Sequence, residues 1–285
     1  MRRGPRNKWL VGLLLGLFAV LGLLGAAPSP AEAQNWAKNW EWYAAGFVGG
    51  AFPNNDDFKI TNDSLYVGIP PPTTTEIKVR DGTFLASPLA GVKGGVCPSL
   101  FPNFCVELEF DHFNPTLDTQ VAKGETSFPP FFGNVSFAPA GKLDLSVWDL
   151  GLNLIGRLPL LKESGGYPLG GRLHLYAGAG PDFVWTKARD QCISFVSPGG
   201  SGIVCGKTDT DFSLGVQALG GLKFFITKNL ALFGEYKFNH WRSELKFSGS
   251  GQSTVFVAAT FNETSKITHL DFNVNLFSVG LALHF

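Results

Sequence analysis

Apolar and polar residues alternate along much of the chain, in segments of about ten residues separated by turn residues. The clearest segment is 104–113, in which apolar residues at the even positions alternate with Glu107, Glu109 and Asp111. A period of two places the two sets on opposite faces of a β-strand. Eight segments show this pattern: 42–52, 83–94, 104–113, 145–157, 172–185, 212–225, 230–241 and 268–285.

The last of these segments changes phase in its middle. Apolar residues change from even to odd positions near Leu276 and Phe277. A β-bulge at this point would shift the phase by one residue. A strand that starts late would have the same effect on the pattern, and the sequence leaves both interpretations open.

The connections between the segments alternate in length. The long connections contain turn-forming clusters at 70–72, 129–130, 197–200 and 248–251. The short connections include 226–229, between the sixth and seventh segments. Long irregular loops are uncommon in compact soluble domains, but a bacterial outer-membrane barrel has long outer loops and short periplasmic turns. The pattern therefore predicts both chain ends in the periplasm and four long loops outside.

Composition favours insertion into a membrane. Charged residues make up 16% of the chain, against about 25% in typical soluble domains. The chain contains 35 Gly, 26 Phe and 7 Trp, yet no segment beyond the N-terminal region is apolar over the length of a spanning helix. In lipid, only helices and closed barrels satisfy all backbone hydrogen bonds. The sequence therefore predicts an all-β fold, an eight-stranded antiparallel up-and-down transmembrane β-barrel.

The N-terminus has the pattern of a secretory signal peptide. A basic cluster at 2–8 precedes the apolar stretch 9–24, and small residues flank Glu32 at 31–33. We predict cleavage after 1–33, which leaves 34–285 as one barrel domain. The alternative, a membrane anchor, needs about 20 apolar residues. The mature chain would carry a net charge of about −3, so it lacks the basic excess typical of nucleic-acid binding.

Four stretches carry a resemblance to a known family: 42–52, the Gly-Ala-Gly-Pro sequence at 178–181, the segment 232–238, and the closing residues Phe277, Val279, Leu281, Leu283 and Phe285. In these the chain resembles the small OmpA/OmpX-like, opacity-protein-like outer-membrane β-barrels of Gram-negative bacteria. The resemblance implies the fold and an outer-membrane location. It also implies that the closing residues act as the signal read by the barrel-assembly machinery, but it implies no single activity.

The four cysteines, Cys97, Cys105, Cys192 and Cys205, suggest disulfides in an exported chain, with three possible pairings. The predicted topology selects Cys97–Cys105, which flank a short periplasmic turn, and Cys192–Cys205, which lie in one outer loop. A metal site is the alternative, but the sequence contains no close cluster of Cys and His.

A set of charged residues is predicted to face the barrel interior: Glu107, Glu109, Asp111, Lys223, Glu235 and Lys237. Paired carboxylates can perform acid–base chemistry. An ion-pair network is the favoured interpretation, because an eight-stranded barrel is only wide enough for side chains to fill it and buried charges require partners.

These patterns predict a non-enzymatic outer-membrane protein with a structural or surface-interaction role, and no cofactor. One alternative is a barrel hydrolase acting on lipid A, which would use His240, Ser243 and Glu244; the three-residue spacing from His240 to Ser243 places them on opposite strand faces. A narrow pore is the other alternative. Expected partners are outer-membrane lipid, lipopolysaccharide and the assembly machinery, with no nucleic acid and with an unspecified outer ligand. The aromatic residues Trp36, Trp40, Trp42 and Tyr43 are predicted to form a periplasmic girdle.

Overall fold

The computed structural model describes residues 40–54, 56–65, 73–118, 123–128, 133–140, 142–162, 166–188, 191–197, 200–206, 209–253 and 259–285. The predicted signal peptide 1–33 and Trp36 lie outside these residues. Within them, no helix is both long enough and apolar enough to cross a membrane. The strands are β1 (Glu41–Pro53), β2 (Asp56–Leu65), β3 (Thr73–Leu85), β4 (Ser87–Cys97), β5 (Phe104–Phe113), β6 (Thr116–Asp118), β7 (Lys123–Phe128), β8 (Gly133–Ala140), β9 (Lys142–Lys162), β10 (Gly171–Ala188), β11 (Gln191–Ser197), β12 (Gly200–Gly206), β13 (Asp209–Phe225), β14 (Leu230–Ser253) and β15 (Ala259–His284).

Eight of these strands form a closed antiparallel ring. Its order is β1, β4, β5, β9, β10, β13, β14 and β15, and β15 pairs back onto β1. Each strand of the ring pairs with the next ring strand along the chain. The prediction of an eight-stranded antiparallel up-and-down barrel is therefore confirmed.

Most predicted segments coincide with ring strands, and the third coincides with β5 at both ends. The second predicted segment, 83–94, starts too early. The stretch up to Leu85 belongs to β3, which lies outside the ring, and the ring strand β4 begins at Ser87.

Both interpretations of the phase change in the last segment were wrong. The register of β15 against β1 runs without interruption from His284 to Val274, and β15 starts early, at Ala259. The alternation of inward and outward positions continues along β15, but the polarity of the two faces is reversed in its N-terminal half. There the buried positions are apolar, as at Phe272 and Leu276, and the positions between them are polar, as at Asn273.

The two ends of the barrel differ. One end, called the turn end below, holds the described parts of the short connections, 98–103, 166–170 and 226–229, together with both ends of the described chain. There, Trp42 and Phe285 exchange two backbone hydrogen bonds, of 3.3 and 2.9 Å, which close the seam between the first and last strands. The opposite end is called the hairpin end.

The long connections at the hairpin end contain strands, where the sequence predicted loops. The parts of β14 and β15 at the hairpin end pair with further strands to form a second ring, called the second tier below. Its other members are β2, β3, β7, β8, β11 and β12. An unpaired strand edge exposes backbone donors and acceptors, and lateral pairing of the hairpins satisfies them. The sequence analysis did not predict this pairing, because it interpreted the Pro, Gly and Ser clusters in these connections as loops.

The outer wall of the first ring is apolar. Its large exposed side chains include Leu108, Leu152, Leu214, Leu232 and Val279, each more than 40% exposed. An apolar surface of this extent is not tolerated in water and is expected of a lipid-facing barrel. Trp40 and Trp42 stack on this wall at the turn end, with ring centroids 6.4 Å apart. Tyr43 does not join the predicted girdle, because its neighbour Trp42 faces outward and Tyr43 is therefore turned to the interior, where it is buried.

Candidate functional site: the barrel interior

The interior of the first ring is filled by side chains. From the turn end to the hairpin end it contains a charged closure, a polar middle and an apolar lid. The predicted acids Glu107, Glu109 and Asp111 lie in the middle and are 3%, 1% and 1% exposed. Their burial follows from the alternation of β5, whose even positions face outward.

The charged closure is centred on Glu41, the first residue of β1. Its two carboxylate oxygens accept hydrogen bonds from Arg157 of β9, one of them 2.6 Å long, in a bidentate pair. His284 of β15 lies 2.7 Å from the same carboxylate, and the Arg157 Nε donates to the Pro102 carbonyl at 2.8 Å. A bidentate pair restricts the relative orientation of the two side chains and strengthens their interaction. The cluster therefore links β1 and β15, which meet at the seam, to β9 across the interior. The sequence analysis did not identify these residues.

A disulfide between Cys97 and Cys105 joins the ends of β4 and β5 at the turn end. The two cysteines are buried in an apolar cluster with Tyr43, Ile155, Tyr176 and Leu219. This is the first of the two predicted pairings, and it staples the turn 98–103.

The second predicted pair occupies a favourable position in the backbone. Cys192 of β11 and Cys205 of β12 are directly opposed in the antiparallel register, although their side chains lie outside the described residues. We expect non-reducing peptide mapping to recover a Cys192–Cys205 peptide and a separate Cys97–Cys105 peptide. A Cys97–Cys192 link would contradict both pairings. Replacement of Cys192 and Cys205 by serine is expected to leave the gel mobility of the folded first ring unchanged, because its strand pairing does not depend on them.

Lys93 of β4 is one of two lysines at the centre of the polar middle. Its Nζ lies 2.5 Å from the Glu235 carboxylate and 3.7 Å from that of Glu107. The ammonium group also lies 4.7 Å from the ring centroid of Phe233, within the range of a cation–π interaction. The sequence analysis missed Lys93, since its strand is rich in glycine and small residues and shows little contrast between its two faces.

Two tyrosines complete this group. The Tyr43 hydroxyl donates to Glu107 at 2.6 Å, and the Tyr176 hydroxyl donates to Glu235 at 2.9 Å. Each carboxylate therefore has an uncharged donor as well as the lysine. Hydrogen bonds to buried charges offset part of the cost of removing them from water.

Lys237 of β14 is the second central lysine. Its Nζ lies 3.1 Å from Glu109 and 3.8 Å from Asp149, and it makes its closest contact with Asp111. The structure thus brings the predicted lysine of the seventh segment against the predicted acids of the third, across the barrel. Asp149 of β9, which the sequence analysis did not include in the network, adds a third carboxylate.

A layer of amides and acids lies beside Lys237. The Asn239 side-chain nitrogen donates to Asp149 at 2.5 Å and to Asp182 at 3.0 Å. Gln217 donates to Asn153 at 2.9 Å. The described residues contain no group of three His, Cys, Asp or Glu side chains suited to a metal ion.

Lys223 departs from the predicted network. It faces the interior, but no carboxylate within ion-pair distance is seen among the described residues. Instead its Nζ lies 4.2 Å from the ring centroid of Tyr43 and 5.7 Å from that of Tyr176. Its position near the turn end of β13 separates it from the acids around Lys237, which explains why it is not part of that cluster.

The apolar lid closes the interior toward the hairpin end. Trp241 is 1% exposed and stacks on Phe272, with ring centroids 4.8 Å apart. Phe113 meets the Trp241 ring edge-on at 6.3 Å. Other buried members of this cluster include Leu145, Val147, Val184, Leu245 and Leu270. Together with the polar middle, the lid leaves the first ring packed rather than open.

The residues of the hydrolase alternative do not meet. His240 lies on the outer side of β14, where its Nδ1 is 2.9 Å from the Asn273 side-chain oxygen. Ser243 is buried inside, and its hydroxyl donates to Asp211 at 2.8 Å. A Ser–His pair must share a hydrogen bond to activate the serine, and the alternation of the strand separates the two side chains.

The five closing residues lie on the outer face of β15 or at its end. Phe277, Val279, Leu281 and Phe285 are 52–61% exposed, and Leu283 is half-buried. Phe285 is placed beside the seam by its backbone bonds to Trp42.

Phe285→Ala is expected to lower the amount of protein inserted in cells more than it lowers refolding into detergent. The side chain is exposed, so its removal costs little packing, whereas the predicted assembly signal includes it. Heat-shift gels of outer-membrane fractions and of refolded protein measure both quantities. Phe212→Ala is the matched control, because Phe212 is 56% exposed and lies outside the closing residues, on β13. Equal losses of Phe285→Ala in cells and in detergent would show that the residue acts only through packing.

A family model described as an outer membrane protein beta-barrel domain matches residues 17–285. Among solved structures, OprG of Pseudomonas aeruginosa is 13% identical, covering 86% of this chain and 95% of its own, with a TM-score of 0.37. Neisserial surface protein A is 11% identical, with coverages of 86% and 97% and a TM-score of 0.39. Ail of Yersinia pestis is 10% identical, with coverages of 86% and 99% and a TM-score of 0.33. No curated protein matches the sequence.

The closed ring, the apolar outer wall and the filled interior define an integral membrane β-barrel. The chain belongs to the outer membrane protein beta-barrel domain family, and it is an outer-membrane protein.

Proposed function

We propose that the protein is a non-enzymatic, non-conducting barrel that acts as a surface-interaction protein through its second tier. The observation that carries this proposal is the filled interior. A pore needs a continuous water path, and here the lysine–carboxylate clusters around Lys93 and Lys237 and the lid around Trp241 occupy successive levels of the ring. An eight-stranded barrel has no space left once such side chains fill it.

The second tier extends beyond the membrane. A membrane-spanning strand of a barrel needs about 9–11 residues, whereas β14 has 24 residues and β15 has 26. The surplus length lies at the hairpin end, on the side opposite to both chain ends. We expect this end to face the outside of the cell, as the short turns at the other end indicate.

One sector of the second tier differs chemically from the rest. The adjacent strands β8, β11 and β12 contain no charged residue. The strands that follow β8 around the second tier, β7, β3 and β2, contain charged residues, among them Glu125, Lys78 and Lys59. Uncharged sheet outside the membrane is a favourable surface for protein partners. We therefore assign the interaction to the sector β8, β11 and β12.

Three measurements test the functional class. Purified protein in planar bilayers is expected to give no steady current, and incubation with lipid A is expected to release no fatty acid. Steady ohmic currents would favour the pore, and fatty acid release would favour the hydrolase. In the third measurement, liposomes bearing the protein are incubated with an immobilised panel of extracellular proteins at high salt, which weakens attachment through charge. Replacement of 191–206 by a glycine–serine linker is expected to abolish binding, while replacement of 59–78 is the charged control. Equal loss in both variants would remove the assignment to the uncharged sector.

A further inference from the structure

An apolar groove of about 510 Å³ is open on the outer wall of the barrel near the turn end. It crosses β9, β10 and β13. The side chains and backbone that line it include Phe104, Gly156, Leu158, Leu175, Ala177 and Gly220.

The groove exists because three small residues stand side by side. Ala177 of β10 is directly paired with Gly156 on one side and with Gly220 on the other. The next residues outward in this row are aromatic, Phe104 beside Gly156 and Tyr236 beside Gly220. Two missing side chains and one methyl group leave a trough across three strands, with Phe104 at one end, whereas the Tyr236 ring packs on Phe277 of β15. A lipid acyl chain, which is long, narrow and apolar, matches this shape.

Two cationic residues lie between the groove and the turn end. Arg172 of β10 precedes Leu175 by three residues, which corresponds to roughly 10 Å along a strand. Its Nε donates to the Phe225 carbonyl at 3.0 Å, and its guanidinium lies 4.9 Å from the Phe224 ring centroid. The Lys228 ammonium lies at the neighbouring turn, 3.2 Å from the position that a Cβ on Gly166 would take.

Among the described residues, neither Arg172 nor Lys228 has a carboxylate within ion-pair distance. A guanidinium with free terminal nitrogens binds phosphate well. The apolar groove and the two cationic residues toward the turn end therefore offer complementary sites for the two parts of one amphipathic molecule.

We propose that this groove binds a phospholipid, with one acyl chain in the trough beside Phe104 and the phosphate held by Arg172 and Lys228. The turn end is expected to face the periplasm, and the periplasmic leaflet of the outer membrane consists of phospholipid. Two cations at the headgroup favour an anionic phospholipid over a zwitterionic one. The site is independent of the second tier and of the interaction assigned to it.

The test uses the full mature protein, extracted gently and examined by native mass spectrometry after exchange into mixed phosphatidylglycerol and phosphatidylcholine. We expect one phosphatidylglycerol to stay bound to the wild type. Gly220→Leu fills the trough, and its new Cβ would meet only ordinary contacts, the nearest atom being 3.7 Å away. Gly234→Leu is the matched control, because it lies on the same outer wall with no atom within 4 Å.

Arg172→Gln tests the headgroup site independently of the trough, and Arg242→Gln, at the hairpin end, is its control. Gly220→Leu and Arg172→Gln are expected to lower lipid retention by about tenfold, the size of effect that loss of a charge-assisted contact produces. Both controls are expected to retain the wild-type level. Heat-shift gels verify that each variant is folded. Equal retention by all four variants, or equal binding of the two lipids, would overturn the proposal. A dimer that disappears with Gly220→Leu would identify a second copy of the chain as the occupant.

Discussion

Lys237→Ala is expected to lower the free energy of unfolding in detergent by about 3–5 kcal/mol, the usual cost of breaking a buried ion pair from one side. The Lys237 ammonium is 3% exposed and lies against Glu109, Asp111 and Asp149. Its removal leaves three carboxylates facing one another without a cation, and their repulsion is weakly screened in a packed interior. Urea titration followed by tryptophan fluorescence measures the loss.

A second substitution separates the ion pair from the packing of the lysine stem. Adding Asp111→Asn to Lys237→Ala removes the closest of the unpaired charges, so we expect part of the lost stability to return. Asp111→Asn alone is expected to destabilise, because Lys237 then loses its closest partner. Lys187→Ala, an exposed lysine at the hairpin end of β10, is expected to change stability by less than about 0.5 kcal/mol. Additive losses in the double variant would show that Lys237 stabilises the barrel by packing alone.

The fold could be predicted because alternation is a property of each strand by itself. The period of two fixes which residues face lipid, and the lengths of the connections fix which ends are joined by turns. The same reasoning could have corrected one error. Since Trp42 was expected to face lipid, its neighbour Tyr43 had to face the interior, where it now donates to Glu107.

Features that depend on several strands at once were harder to predict. Lys93 is the only charged residue of β4, so nothing in its own strand shows that it pairs with Glu235 of β14. The phase change of β15 arises because the lid requires apolar side chains inside the first ring near the hairpin end. The expected pattern of polar residues inside and apolar residues outside predicts polar side chains there. The second tier depends on lateral contacts between hairpins that are distant in sequence, and those contacts leave no local pattern.

The lid gives the second large effect. Trp241→Ala is expected to lower the free energy of unfolding by about 3–5 kcal/mol, as large-to-small changes at buried aromatic residues do. Trp241 is among the largest fully buried side chains of the described chain, and its loss removes the stacking on Phe272 and the edge contact of Phe113. Urea titration followed by heat-shift gels measures the loss, since the substitution removes a fluorophore.

Trp241→Phe keeps an aromatic ring in the lid and is expected to lose clearly less stability than Trp241→Ala. Trp148→Ala, at an outward position that is 41% exposed, is expected to cost less still, because lipid replaces the lost contacts.

The same variants separate the roles of the apolar lid and the polar middle in closing the barrel. We expect Trp241→Ala to remain non-conducting in planar bilayers, because the carboxylates around Lys237 still fill the level below. A steady current from Trp241→Ala, absent in the wild type, would show that the lid alone closes the barrel and that the polar middle is permeable to water and ions.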